Sequence, residues 1–324
     1  MVAWAVQKEE AMRRKQCVLA VVAGLACLAM VATDLAAGKP PRPPQVPADP
    51  HVAFFDAYYI SVCNEDGQRA TVVYAQDGCC TTHPSLSPDL RSVVFATLDG
   101  IKRVDFTVDG SGNVVVLGEL LLLAERDVFV PTWSPDGQWI AYDKTDAWGT
   151  SSSIGIVPAE GGTGITIYAP DPGVMVHDIA WKYTGDCLYF TEDVIGQAGS
   201  WVVKALQLDA SGQPLGPPEV VFQDLRFGNG MDGLSAAKTR NSVAFTSGQY
   251  LYTVDLDTLQ DTFVFQEQDG FHYMGTLPWS PDDSQIMFGS APHRPPRRGI
   301  VLWKVTLATG ETTTLIGGRQ PDWK

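Results

Sequence analysis

The sequence predicts an all-β fold: a six-bladed β-propeller with four-stranded blades, closed by the C-terminal strand joining the N-terminal blade. After residue 50, short apolar runs alternate with turns rich in Gly, Pro and Asp, and no long helical pattern occurs. A Trp or Leu followed by a turn recurs at intervals of 47, 48, 53, 45 and 44 residues, which is the length of a propeller blade. The last of these residues is followed by a single Lys.

Residues 1–37 are predicted to be a signal peptide or a membrane anchor. The basic stretch "MRRK" precedes an apolar run over residues 17–32, which is shorter than the roughly 20 residues that a membrane span needs. Cleavage after Ala37 is favoured over a retained anchor formed by residues 17–37, and lipidation of Cys27 is a third alternative. We therefore expect an exported protein, periplasmic or extracytoplasmic.

Residues 38–50, "GKPPRPPQVPADP", form a Pro-rich linker between this segment and the propeller, which we assign to residues 51–324. Prolines favour an extended polyproline spacer of about 3.1 Å per residue, or roughly 40 Å in all. A disordered leader fits the same composition equally well if the signal peptide is cleaved.

The charge balance argues against two classes of anionic partner. The formal net charge is -14, so neither nucleic acid nor an anionic lipid surface is an expected partner. We expect a monomer whose partner is an envelope protein or a small ligand. The sequence indicates no cofactor.

Four cysteines lie outside the N-terminal apolar run: Cys63, Cys79, Cys80 and Cys187. An oxidising compartment permits disulfides, and Cys63 with Cys79 or Cys80 are the nearest candidates in sequence. A vicinal bridge between Cys79 and Cys80 is a rarer alternative. No CxxC pair indicates a zinc site.

The recurring Trp or Leu residues are predicted to anchor the blades. Each precedes a turn and a second apolar strand, and two further strands complete the unit. One blade cannot cover both faces of its own sheet, so we expect the anchors to pack between neighbouring blades. The six anchors are Leu86, Trp133, Trp181, Leu234, Trp279 and Trp323.

The turn after the anchor carries a family resemblance. Residues 133–137 read "WSPDG", residues 279–283 read "WSPDD" and residues 86–90 read "LSPDL". These repeats resemble the WD40-like repeats of the TolB type, and the resemblance covers residues 51–324. It implies a six-bladed propeller. Ser, Pro, Asp and Gly in this order suit a type I turn, so Asp136 is interpreted as a turn-former.

The two ends of the propeller are predicted to share one blade. No strands follow Trp323, whereas residues 52–76 offer three strand-like runs with no anchor before them. We therefore expect Gln320 to Lys324 to form the innermost strand of a sixth blade, with its outer three strands supplied by residues 52–76.

We do not assign to this chain the roles of two related groups of propeller proteins. TolB has an additional α/β domain before its propeller, and we recognise no such domain here. Prolyl-oligopeptidase-like enzymes combine a propeller with a hydrolase domain, but the sequence contains no Gly-x-Ser-x-Gly nucleophile elbow. No catalytic residue is therefore assigned.

A candidate ligand-binding site is predicted at the mouth of the axial channel. Propeller enzymes that use a metal place His, Asp, Glu or Gln where the innermost strands begin, because several blades converge there. Counting three residues back from the anchors gives His83, Asp178 and Gln320, and His177 adjoins Asp178. These residues form a ligand or weak metal site, or they are merely solvated.

Three other features receive weaker interpretations. "HRPPRRG", residues 293–299, is a docking loop for an acidic partner or a solvated hairpin tip. "DLRFGNGMDG", residues 224–233, is a flexible connection with an exposed-looking Phe227. A set of aspartates at strand ends is interpreted as turn caps: Asp105, Asp109, Asp143, Asp146, Asp255 and Asp257.

Two functions from different classes follow. The leading hypothesis is a non-catalytic, exported propeller that binds a protein or ligand in the cell envelope. The alternative is a metal-assisted lyase or hydrolase at the channel mouth, working through His83, His177 and Asp178.

Overall fold

The computed structural model describes residues 50–324, except for residues 57–58, 76–81, 147–149, 198, 228–229, 267–270 and 293–300. Within these ranges the chain forms 24 strands and one 3-10 turn, Leu225–Phe227. The described residues include no helix with the length and apolarity needed to cross a membrane. The segments assigned to the signal or anchor and to most of the linker lie outside the described residues.

The strands form six antiparallel sheets of four strands each, which confirms the predicted fold class. The first blade comprises β4 (Thr82–Leu86), β5 (Ser92–Thr97), β6 (Gly100–Val108) and β7 (Val114–Leu123). The second comprises β8 (Val128–Trp133), β9 (Trp139–Thr145), β10 (Ser152–Pro158) and β11 (Ile165–Tyr168). The third comprises β12 (Val174–Trp181), β13 (Cys187–Val194), β14 (Val202–Gln207) and β15 (Glu219–Phe222). The fourth and fifth comprise β16 (Asp232–Ala236), β17 (Ser242–Ser247), β18 (Tyr250–Asp255) and β19 (Gln260–Gln266); and β20 (Phe271–Met274), β21 (Gln285–Pro292), β22 (Val301–Thr306) and β23 (Thr312–Gly317).

The sixth blade closes the ring as predicted. Its innermost strand is β24 (Arg319–Trp323), and its outer strands are β1 (Val52–Asp56), β2 (Tyr59–Cys63) and β3 (Thr71–Ala75). In the pairing of β24 with β1, Trp323 lies opposite Val52. The C-terminal and N-terminal segments therefore build one sheet, because neither supplies four strands alone.

The anchors lie between the blades. Each of the six interfaces contains one buried apolar cluster drawn from two neighbouring blades, and each cluster contains one anchor. In order from the interface of the sixth and first blades, these are Leu86, Trp133, Trp181, Leu234, Trp279 and Trp323. Trp279 and Trp323 are among the largest fully enclosed side chains.

In the fourth blade the anchor position lies two residues later than the sequence repeats predict. In the first three blades the anchor pairs with the second residue of the next strand, as Leu86 does with Val93 and Trp133 with Ile140. In the fourth blade this position belongs to Ala236, which pairs with Val243. Leu234 lies two residues earlier and still packs in the cluster between the third and fourth blades. A small residue at the usual anchor position removed the sequence signal.

Hydrogen bonds also join the innermost segments of neighbouring blades around the whole ring. The donors and acceptors, taken in order from the first interface, are Leu86 N and Asp322 Oδ2 (2.6 Å), Trp133 N and Ser85 Oγ (3.3 Å), Trp181 Nε1 and Thr132 O (3.1 Å), Gly233 N and Asp178 Oδ2 (2.6 Å), Ser235 Oγ and Leu277 O (2.5 Å), and Thr276 Oγ1 and Pro321 O (2.5 Å). Hydrogen bonds therefore connect the innermost segments at every blade boundary.

The turn at residues 134–137 is built as its sequence predicts. Ser134 Oγ donates to Asp136 Oδ1 at 2.6 Å, and the same carboxylate oxygen accepts the backbone N–H of Gln138 at 3.0 Å. Gly137 has a φ of 73°, a left-handed value that favours glycine. The Ser–Asp bond recurs at 2.6 Å in the first and fifth blades. Asp136 is a structural residue of the turn.

Two of the four cysteines outside the N-terminal apolar run lie within the described residues. Cys63 and Cys187 are buried and unbridged, and burial raises the pKa of each thiol to about 12. The pairing of Cys63 with Cys79 or Cys80 is therefore not formed in this structure. Cys79 and Cys80 lie outside the described residues, so a vicinal bridge between them stays a prediction.

Candidate functional site

The axial channel widens into a cavity at each end. The cavity on the side of the Ser-Pro-Asp-Gly turns has a volume of about 330 Å³, and the cavity at the opposite mouth has a volume of about 700 Å³. His83 and Val130 line both cavities, so they mark the narrow region between them. We call the larger one the wide cavity.

The narrow region is formed by bulges in the innermost strands. His83, Val130 and Gln320 each stand three residues before an anchor, and their φ angles are 51°, 45° and 49°. Left-handed conformations are uncommon for residues other than Gly, and each costs of order 1–3 kcal/mol. The three residues thus occupy equivalent bulges in the first, second and sixth blades.

His83 and Gln320 are brought into direct contact. The backbone N–H of His83 donates to Gln320 Oε1 at 3.2 Å, and Gln320 Nε2 lies 3.2 Å from His83 Nε2. This pair spans the interface between the sixth and first blades. The two side chains therefore hold each other in place at the narrow region.

His177 and Asp178 occupy the bulge of β12, between the paired residues Val176 and Ile179. His177 Nε2 lies 2.7 Å from Asp193 Oδ1, and its ring stacks on Trp201 with centroids 4.5 Å apart. These two contacts fix the plane of the imidazole and leave 35% of the side chain exposed.

Asp178 points across the blade boundary. Its Oδ2 accepts the backbone N–H of Gly233 at 2.6 Å. Burial raises the pKa of Asp178 to about 6; the nearby Asp232 carboxylate acts in the same direction, and the Gly233 hydrogen bond acts against it. Asp178 therefore titrates close to neutral pH, unlike an exposed aspartate.

Two further acidic residues line the wide cavity, and sequence reasoning did not assign them to it. Asp143, interpreted above as a turn cap, instead lies within β9 and is 7% exposed. Burial, and then repulsion by Asp178, raises its pKa to about 8. Asp232 begins β16, and burial raises its pKa while His177 lowers it. The sequence around Asp143 does not distinguish the two roles, because an Asp that follows an apolar strand run has the same appearance as a turn cap or as a channel residue.

Of the other aspartates in that set, three do cap turns. Asp109 accepts the backbone N–H groups of Ser111 and Asn113, and Asp146 accepts that of Thr150. Asp255 accepts two backbone N–H groups in the same manner. The turn-cap interpretation is therefore wrong for Asp143 and correct for these three.

The expectation for Phe227 is also wrong. Phe227 is 2% exposed and packs edge-on against Phe245 and Tyr252, with ring centroids 5.0 and 4.8 Å away. The 3-10 turn Leu225–Phe227 directs its ring into the core between the third and fourth blades. The basic segment at residues 293–299 lies outside the described residues.

Three of the four predicted site residues, His83, His177 and Asp178, line the wide cavity together, and Gln320 contacts His83. In the described ranges, no three His, Cys, Asp or Glu side chains are arranged to hold a metal ion. What the cavity binds stays a prediction.

Comparison with known proteins identifies the fold. No protein-family model matches the chain, and no curated protein matches it. A solved structure assigned as TolB from Agrobacterium tumefaciens is similar, with a TM-score of 0.60, 17% identity, and coverage of 84% of this chain and 92% of that one.

Two other structures share the architecture. The calcium-binding protein regucalcin from Agrobacterium tumefaciens has a TM-score of 0.55 and 16% identity, covering 82% of this chain and 86% of that one. An oligogalacturonate lyase in complex with manganese has a TM-score of 0.52 and 12% identity, covering 81% of this chain and 75% of that one. Identities this low show the fold alone, and the TolB-like six-bladed propeller is the fold they show.

Proposed function

We propose that this chain is an exported, non-catalytic propeller of the cell envelope that binds a protein segment or a small ligand in the wide cavity. The observation that carries this proposal is the convergence of His83, His177 and Asp178 on one cavity of about 700 Å³. That volume lies within the range of ligand pockets, and a few convergent polar groups are typical of them.

The state of these side chains supports binding. His177 is held by Asp193 and Trp201, and His83 is held by Gln320. Side chains that already have a fixed position lose little conformational entropy when a ligand arrives. A rigid polar rim of this kind is suited to recognition.

The proposal that the protein is exported is based on its sequence. The basic and apolar pattern of residues 1–37 and the Pro-rich residues 38–50 support a propeller that is carried beyond the membrane on a spacer. A retained anchor and a cleaved signal both leave the wide cavity available to an envelope partner.

Cross-linking in living cells tests the proposal. The photoreactive amino acid p-benzoylphenylalanine replaces Gln249, which lines the wide cavity, and as the matched control it replaces Tyr183, which lines the cavity at the turn side. We expect a reproducible adduct in the envelope fraction from position 249 and none of the same size from position 183. Identical adduct patterns from both positions would contradict the proposal.

One contact favours the second candidate, a metal-assisted lyase or hydrolase. A carboxylate that hydrogen-bonds an imidazole, as Asp193 does with His177, is the usual support of a metal-binding histidine. Elemental analysis of the purified protein separates the two functions. One tightly held divalent ion that is lost in both His83→Ala and His177→Ala would support the enzyme.

A further inference from the structure

Three aspartates from three consecutive blades share the wide cavity. Asp143 lies on β9 of the second blade, Asp178 on β12 of the third, and Asp232 at the start of β16 of the fourth. The described residues that line this cavity include no Lys or Arg. Its carboxylates are therefore not neutralised by a Lys or Arg side chain among these lining residues.

The carboxylate of Asp143 lacks a complete set of hydrogen bonds. The residue is 7% exposed, and its Oδ1 has no hydrogen-bond partner among the described atoms. A buried acceptor without a donor costs about 1–3 kcal/mol. A donor from a ligand would remove this cost.

Electrostatic repulsion among the carboxylates also favours the binding of a cation. Burial and Asp178 raise the pKa of Asp143, and burial and Asp232 raise the pKa of Asp178. At Asp178 the shift is opposed by hydrogen bonds from the backbone of Gly233 and Leu234 and by His177, and at Asp232 it is opposed by His177. A positive charge inside the cavity would allow the carboxylates to ionise together.

We propose that the wide cavity binds an organic cation, a guanidinium or alkylammonium group carried on an extended ligand, with its N–H donors directed to Asp143 and Asp178. This inference rests on the proposed function, because it specifies the chemistry of a ligand bound in that same cavity. Charge-assisted hydrogen bonds of this type are about twice as strong as neutral ones. The net charge of -14 also attracts cations toward the protein.

The geometry favours an organic cation over a metal ion. Calcium and magnesium need several oxygen ligands at about 2.0–2.6 Å from one point. The described residues contain no group of three ligating side chains placed in that way. A guanidinium group spreads its five donors over a plane and so reaches carboxylates that stand on different blades.

Calorimetric titration of the purified propeller with small probes tests the inference. Argininamide and lysinamide, each with its α-amino group acetylated, supply the cations, and citrullinamide acetylated in the same way is the neutral analogue of nearly the same shape. We expect at least one cationic probe to bind at least about tenfold more tightly than citrullinamide, and Asp143→Asn to weaken its binding by about tenfold or more. Asp66→Asn, at an exposed turn, is the matched control and should bind like the wild type.

A second readout follows from the proton that Asp143 holds at neutral pH. Because a bound cation favours the ionised carboxylate, binding releases that proton to the buffer. The measured heat should therefore differ between phosphate and Tris buffers in the wild type, and it should differ less in Asp143→Asn.

Several results would overturn the inference: equal binding of citrullinamide, no binding of either cationic probe at tens of millimolar, or Mn²⁺ or Ca²⁺ alone binding in preference to both organic cations. The two proposals fail separately. If the Gln249 adduct persists while the cationic probes do not bind, only the cation inference is lost. If the probes bind and the adduct is absent, only the envelope-partner proposal is lost.

Discussion

Asp322 Oδ2 accepts the backbone N–H of Leu86 at 2.6 Å, and this contact ties the last strand of the chain to the first complete blade. Ser85 Oγ donates to the same oxygen at 3.3 Å, and Trp133 N donates in turn to Ser85 Oγ at 3.3 Å. A continuous series of hydrogen bonds thus runs from the sixth blade through the first to the second.

Replacing Asp322 should weaken this closure. Asp322→Ala leaves the buried N–H of Leu86 without its acceptor, so we expect the free energy of unfolding in urea to fall by about 1–3 kcal/mol. Asp322→Asn keeps an oxygen acceptor and should recover most of that loss. If the Asn variant is as unstable as the Ala variant, the negative charge near Lys324 matters more than the hydrogen bond.

Deleting residues 320–324 should destabilise the whole propeller. The deletion removes most of β24 and the side chain of Trp323, which is 2% exposed in the cluster between the fifth and sixth blades. Loss of a buried Trp alone costs about 3–5 kcal/mol. The melting temperature should therefore fall by about 10 °C or more. Lys324→Ala, which keeps the strand, is the control, and an unchanged transition in the deletion variant would refute the closure.

The Ser-Pro-Asp-Gly turn offers a separate test of a structural role. Asp136→Ala removes the acceptor for Ser134 and Gln138, so we expect stability to fall by about 1 kcal/mol. Binding at the wide cavity should not change, because the turns lie at the opposite end of the channel. Asp136→Asn keeps an acceptor and serves as the control. Loss of ligand binding in a folded Asp136→Ala protein would show that the turn has a further function.

The sequence was sufficient for the fold because the signals there are local and repeated. A Trp followed by Ser-Pro-Asp marks both a buried anchor and a turn, and each signal supports the other. The fourth blade shows the limit of this reasoning: Ala236 holds the anchor position, and a small apolar residue cannot be distinguished from its neighbours by pattern. Leu234 was the nearest large residue, and it packs in the same interface.

The candidate site was predicted less completely. Counting back from the anchors found His83, Asp178 and Gln320, because all innermost strands reach the axis in the same manner. Asp143 could not be found in this way, since it lies on a second strand and its place at the cavity depends on how β9 is oriented within the ring. A charged residue at a strand end has the same appearance in sequence whether it caps a turn or faces a channel.

Gly275 provides a test of packing at the narrow region. Its φ is 84°, and a Cβ atom there would meet Cγ of Gln320 at 2.5 Å. We expect Gly275→Ala to destabilise the fold by about 2–4 kcal/mol, from backbone strain together with displacement of Gln320 from His83. Gly173 has a φ of 88° and open space around it, so Gly173→Ala isolates the backbone strain. Equal losses in the two variants, measured by urea unfolding, would show that contact with Gln320 contributes nothing.

The buried carboxyl of Asp143 should make stability depend on pH. Its pKa is raised to about 8 in the folded protein and is about 3.9 in an unfolded chain. Between these values the folded state binds more protons than the unfolded state, so stability falls as the pH rises, by up to about 1.4 kcal/mol per pH unit. Asp143→Asn cannot ionise, and we expect its advantage over the wild type to be small near pH 4 and to grow toward pH 8.

The pH range separates Asp143 from its neighbour. Asp178, whose pKa is raised to about 6, acts with the same sign, but its effect is nearly complete above that pH. The slope between pH 6 and 8 therefore reports mainly Asp143. Urea unfolding at half-unit steps from pH 4.5 to 8.5 measures it, with the exposed Asp66→Asn variant as the control. If Asp143→Asn and the wild type show parallel curves between pH 6 and 8, then Asp143 is already ionised at neutral pH in the folded protein.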